Sequence, residues 1–157
     1  ECNDGYSLIK YQTFPKALRP HLMAHTTQGG ALLVSGAYIG RDMTSEQDRK
    51  FLANLLKCDY GGTQSDYLER DSIQGLGTTF TFDRQPNSEH YAAQHPDVLL
   101  PVEPAYPAMA YSNLQSACVA YNGNDYRALT IGFPFECIKS KQMQDVLMRG
   151  ILAFLLQ

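Results

Sequence analysis

The sequence predicts a three-layer α/β domain, a mainly parallel sheet with helices on both faces. Two patterns point to it. A short run that is apolar at every position, Ala31-Leu32-Leu33-Val34, leads into a glycine-flanked turn and then a helix signal. That is the strand-turn-helix order of α/β folds, and unbroken apolarity is expected of a central strand covered on both faces. A late hairpin pattern and an apolar-striped C-terminal segment then complete the layers.

The elements follow in order. Pro15 to Gln28 reads as a helix whose inner face is Ala17, Leu18, Leu22 and Met23, with Pro20 in its first turn and Gly29-Gly30 ending it. After the turn at Gly36–Gly40, Thr44-Ser45 with Glu46 and Asp48 is a helix start. Phe51, Leu52, Leu55 and Leu56 recur at helical spacing, and Gly61-Gly62 closes the unit. Tyr67 to Leu76 gives no clear signal, whereas Thr78 to Phe82 alternates like a strand. From Asp83 to Pro107 the chain is polar and proline-rich, with one short helix expected over Asn87 to Gln94; an excursion this long often covers a site. Cys118–Tyr121 and Tyr126–Phe133, joined at Asn122-Gly123-Asn124-Asp125, read as a β-hairpin lying at one edge of the sheet. Lys139 to Gln157 is the closing helix, its stripe made by Met143, Val146, Leu147, Ile151, Phe154 and Leu155.

Composition limits the partners. The 157 residues suffice for one domain, and the whole span 1–157 reads as a single one. A hydrophobic content of 44% against 18% charged excludes a disordered chain. A net charge of −3 gives no reason to expect nucleic acid or an acidic membrane as partner. Ile151 to Leu156 is too short to cross a bilayer, so no membrane insertion is expected. The chain opens at Glu1 with neither initiator Met nor signal peptide, as expected of a processed protein or part of a longer one. Cys2, Cys58, Cys118 and Cys137 have no C-x-x-C spacing and are expected to be mostly free, buried thiols. His21 and His25 stand at i, i+4, but no glutamate follows His21 as in H-E-x-x-H, so no metal is expected, and no cofactor.

The turn Gly36-Ala37-Tyr38-Ile39-Gly40 has the spacing of a nucleophile elbow, a tight strand-to-helix turn that pushes one side chain into a cleft. Tyrosine stands where a hydrolase has Ser or Cys. Ser35 lies outside the Gly-x-Ser-x-Gly frame and reads as structural. Tyr38 is either a ligand contact at the head of the strands or a plug in a closed pocket. Arg41 and Asp42 just beyond it suit a polar ligand such as a sugar, or else a helix cap and a surface ion pair. Glu136, at a strand end, is the best acid in the chain, or caps the final helix. Tyr106, Tyr111, Tyr121 and Tyr126 are either sugar-stacking rings or packing residues.

Two stretches together, GGALLVSGAYIGRDM and GFPFECI, resemble class I glutamine amidotransferase-like domains. The resemblance is nearest to the C-terminal domains of secreted bacterial multidomain proteins described as xanthan lyases or amidases. It covers roughly Pro15 to Gln157, and the first strands of such a domain would lie upstream of Glu1. It implies a flavodoxin-like fold, a secreted or periplasmic location and a polysaccharide-related setting. It also sets Tyr38 at the family's Cys nucleophile and Glu136 at about its His base. A phenol whose pKa is near 10, beside a carboxylate, does not replace a Cys-His pair.

The expectation is therefore a non-catalytic accessory or ligand-binding domain with a degenerate site lined by Ser35, Tyr38, Arg41, Asp42 and Glu136. Its expected partners are carbohydrate and the other domains of a parent protein. Two alternatives stand beside it: a hydrolase with a rearranged acid/base pair at Glu136 and His90, and a structural interaction domain with a vestigial pocket. An exposed sheet edge would need covering, for which a second copy of the chain is one candidate.

Overall fold

Among the described residues, six of the eight strands form a single sheet in the order β1-β8-β7-β6-β3-β4, and only one of its pairings, β1 with β8, is parallel. The computed structural model describes residues 12–64, 70–84, 88, 92–93 and 95–157. In chain order the elements are α1 (Arg19–Thr27), β1 (Leu32–Ser35), α2 (Glu46–Phe51), a π-helical turn (Leu52–Leu56), β2 (Cys58–Thr63), β3 (Arg70–Gly75), β4 (Thr78–Asp83), β5 (Asp97–Pro101), β6 (Tyr106–Ala110), β7 (Ser116–Asn122), β8 (Arg127–Ile131), a 3₁₀ turn (Phe135–Cys137) and α3 (Lys141–Leu155). β2 and β5 pair antiparallel as a separate ribbon.

This corrects the predicted fold class. The sheet is mixed and mostly antiparallel, curls into a half-barrel and has few helices; it is not a mainly parallel three-layer sheet of the flavodoxin type. The difference has local causes. The proline-rich stretch read as an excursion contains β5 and the start of β6, and Tyr67 to Leu76 contains β3, so strands were too few to see the antiparallel returns. β1 is not central but ends the sheet among the described residues, with Leu32 buried and Leu33 37% exposed. The β7–β8 hairpin is interior rather than at an edge, because its residues are buried on both faces, from Ala117 to Ala120 and Ala128 to Ile131. Gly61 and Gly62 do not close the α2 unit; they lie inside β2 at a register shift.

Other elements form as their residues dictate. α1 starts just before Pro20, which takes the first turn where its missing N–H costs nothing. Ser45 caps α2 through a capping box with Asp48. α3 buries Leu147, Ile151 and Leu155. The helix expected over Asn87 to Gln94 falls almost wholly outside the described residues. Alternation along β7 splits the interior in two. Cys118 and Ala120 join the core under α3, with Phe82, Phe133 and Ile151. Val119 and Tyr121 join the opposite core, with Leu52, Leu56 and Leu99 from the π turn and the ribbon. Cys58, Cys118 and Cys137 are free and buried, while Cys2 lies outside the described residues.

Candidate functional site

The elbow turn leaves the C-terminal end of β1, where the Gly36 N–H extends the ladder to the Ile131 carbonyl at 3.2 Å. Tyr38 has φ 65°, the left-handed region that costs an L-residue roughly 1–2 kcal/mol. Ile39 is buried, 1% exposed, whereas Tyr38 is half-buried. Gly40 is required by contact: a Cβ there would meet the Tyr60 side chain at 2.9 Å.

Arg41 and His95 flank the tyrosine. The Arg41 guanidinium sits 5.1 Å from the Tyr38 ring centroid. The His95 ring lies 5.9 Å away, tilted by 54°. The proline-rich stretch thus does reach the elbow, and the histidine described there is His95. His90, the base of the hydrolase alternative, lies outside the described residues. Asp42 accepts the Thr13 hydroxyl at 2.9 Å, and its N–H donates to the Tyr38 carbonyl.

Beneath the turn is Asp97, fully buried and absent from every sequence expectation. Its Oδ2 accepts the Gly40 N–H at 2.7 Å and the Arg41 N–H at 3.4 Å. Successive N–H groups of a tight turn form an anion-binding nest, and here the protein's own carboxylate fills it. Burial pushes the Asp97 carboxyl up to about 6, against the pull of the Gly40, Arg41 and Tyr38 N–H groups. Its Oδ1 has no hydrogen-bond partner among the described residues. The only sequence signal was a charge opening an apolar run, Asp97-Val98-Leu99-Leu100.

The remaining expected residues have other work. The Ser35 hydroxyl donates to the Phe133 carbonyl at 2.9 Å and accepts the Phe135 N–H at 2.7 Å, tying the end of β1 to the segment after β8. That segment brings Glu136 to the same end of the sheet. Two expectations for Glu136 are corrected: it is exposed in a 3₁₀ turn rather than ending a buried strand, and Ser140 caps α3 instead. Tyr111, Tyr121 and Tyr126 are buried packing residues, while Tyr106 is 45% exposed. His25 does not sit ready for a metal, since its Nε2 lies 3.2 Å from the Ala31 carbonyl. Burial pushes the Cys58 and Cys137 thiols up to about 12 and the Cys118 thiol higher still, which removes all three as nucleophiles.

Fold and site together define a curled mixed-sheet domain whose elbow presents tyrosine, arginine and histidine where a hydrolase presents a nucleophile. No family model and no curated protein matches the sequence. Solved structures do. The GH42 β-galactosidase Gan42B superposes with a TM-score of 0.61 at 14% identity, over 88% of this chain and 19% of its own. The exo-β-1,4-mannosidase Op5Man5 from Opitutaceae bacterium strain TAV5 gives 0.57 at 12%, over 89% and 23%. The N-terminal domain of mmIFT52 gives 0.59 at 14%, over 92% and 72%. At such identities the likeness is one of fold. The chain spans only about a fifth of the length of either of these glycosidases.

Proposed function

We propose that this chain is a non-catalytic, ligand-binding unit of a larger carbohydrate-active protein, contacting sugar through Tyr38, Arg41 and His95. The observation behind the reading is the phenol at the elbow's nucleophile position, held over a turn whose Gly40 and Arg41 N–H groups are given to the buried Asp97 carboxylate. A phenol with a pKa near 10 is no ready nucleophile at neutral pH. The exposed combination of an aromatic edge, a guanidinium and an imidazole suits hydroxyl groups without offering a nucleophile-base pair. Two of the structural matches are glycosidases several times longer than this chain, which agrees with an accessory unit in such a protein. A secreted or periplasmic setting belongs to the same proposal.

The test is calorimetric titration with β-1,4-linked galacto- and manno-oligosaccharides, on the native chain and on Tyr38→Ala and Arg41→Ala. Binding that weakens in both variants is expected. No heat with any oligosaccharide, or binding indifferent to both substitutions, would leave the structural interaction domain as the better reading. The hydrolase alternative gains one observation, the His95 ring beside Tyr38. Turnover of aryl glycosides or esters that disappears in His95→Gln and Tyr38→Phe would establish it over the binding reading.

A further inference from the structure

We propose that Asp97 is the positioning residue of the elbow: its carboxyl, clamped under the turn, sets Tyr38 and Arg41 against His95, and this surface loosens as Asp97 ionises. The proposal rests on the elbow cluster being the contact surface, but its test is read on the turn itself, without a sugar.

The geometry gives Asp97 two attachments. Its side chain holds the elbow through Gly40 and Arg41. Its main chain is held independently: the Asp97 N–H donates to the Gly132 carbonyl at 2.7 Å, and the Tyr111 hydroxyl donates to the Asp97 carbonyl at 2.8 Å. Gly132 makes that approach possible, since a Cβ there would lie 2.2 Å from the Asp97 carbonyl oxygen. The carboxylate therefore stands on a fixed base and pulls on a strained turn. His95, two residues upstream on the same backbone, is set by the same base.

Charge decides how well the clamp holds, because releasing the turn uncovers a carboxyl whose burial penalises its ionised form more than the turn's N–H groups favour it. By linkage the clamped turn binds the proton more tightly than the released one, so ionisation of Asp97 loosens a turn that keeps Tyr38 at φ 65°. The groups facing it are few. The elbow contributes Tyr38, Arg41 and Asp42, of which Asp42 adds a like charge. β2 contributes Cys58, a neutral thiol, with Asp59 beside it bound to Arg49. Tyr111 donates to the main chain, and His95 stands across the Tyr38 ring. Burial pushes the Asp97 carboxyl up to about 6, within reach of an ordinary titration.

The experiment is NMR on the whole chain from about pH 4.5 to 8, following the Asp97 ¹³Cγ, the Gly40 and Arg41 amides and the NOE between the Tyr38 and His95 rings. We expect the ¹³Cγ and both amides to titrate together with a midpoint near 6, and the ring NOE to weaken on the alkaline side. The amide steps should persist in His95→Gln and vanish in Asp97→Asn. A flat ¹³Cγ profile, or amide steps that survive Asp97→Asn and disappear in His95→Gln, overturns the proposal. If Asp97→Asn does not fold, the native ¹³Cγ and the His95→Gln amides decide by themselves. A chain that binds no sugar would defeat the functional reading while leaving this result intact.

Discussion

Asp97 accepts the Gly40 N–H at 2.7 Å, joining the start of β5 to the elbow after β1 across a fully buried contact. The bond explains why the turn stays in place despite a tyrosine in the left-handed region, and it has a measurable cost. Burial raises the folded-state pKa of Asp97 from 3.8 to about 6, so between those values the native chain binds more protons than the unfolded one. Stability from this group is full below the unfolded pKa and is lost as pH rises through about 6. Urea midpoints measured from about pH 4 to 8 are expected to carry an Asp97 component that declines with pH, on the order of 3 kcal/mol in all. Asp97→Asn should remove it and be more stable than the native chain at about pH 8. An unchanged pH profile in Asp97→Asn would show that the carboxylate stays ionised throughout.

Tyr126 closes the π turn. Its hydroxyl donates to the Leu55 carbonyl at 2.8 Å and to that of Asn54 at 3.1 Å, two groups in the last turn, where the end of the helix leaves carbonyls without helical partners. Tyr126→Phe is expected to cost about 1–2 kcal/mol in chemical denaturation. A cost near zero would mean that solvent replaces the hydroxyl.

Gly132 is needed for room, not for backbone freedom. Its position faces the Asp97 carbonyl oxygen at 2.2 Å from an ideal Cβ. Gly132→Ala should lose about 1–3 kcal/mol of stability, the usual cost of overpacking. It should also shift the Gly40 amide resonance, because the base of Asp97 moves. A variant as stable as the native chain, with an unmoved Gly40 amide, would count against that coupling.

Ser45 and Asp48 satisfy each other at the start of α2, and Asp48 also meets Arg19 of α1 at 2.6 Å. The Ser45 hydroxyl first, and Arg19 next, hold the Asp48 carboxyl down to about 2. That stabilisation is present above the unfolded value of 3.8 and is lost as pH falls toward 2. Ser45→Ala should cost about 1 kcal/mol at neutral pH and weaken the acid dependence below about pH 4. Equal losses at both pH values would argue that Arg19 alone sets the charge of Asp48.

Much of the local structure was legible in the residues. The α1 start at Pro20, the Ser45 cap, the β7–β8 hairpin and the α3 stripe are patterns within one element or one turn, and each has its physical cause within a few residues. β5 and β6 were hidden because prolines at 96, 101, 104 and 107 flank or interrupt them, and β3 because its run is polar. The elbow was visible from its glycine spacing. The two groups that define its chemistry, Asp97 and His95, were not, because they come from a segment far along the chain whose approach no spacing encodes.

The sequence alone determined that a strand ends in a tight glycine-flanked turn presenting Tyr38, and that no usual nucleophile stands there. Those facts depend on residue identity and on neighbours close in the chain. Only the tertiary structure decided that the sheet is mostly antiparallel, that β1 ends it, and that a buried carboxylate fills the elbow's nest. Strand order and burial are settled by which distant segments exclude water from one another, and Asp97 acquires its partners and its raised pKa only when β5 is folded against Gly40, Tyr111 and Gly132.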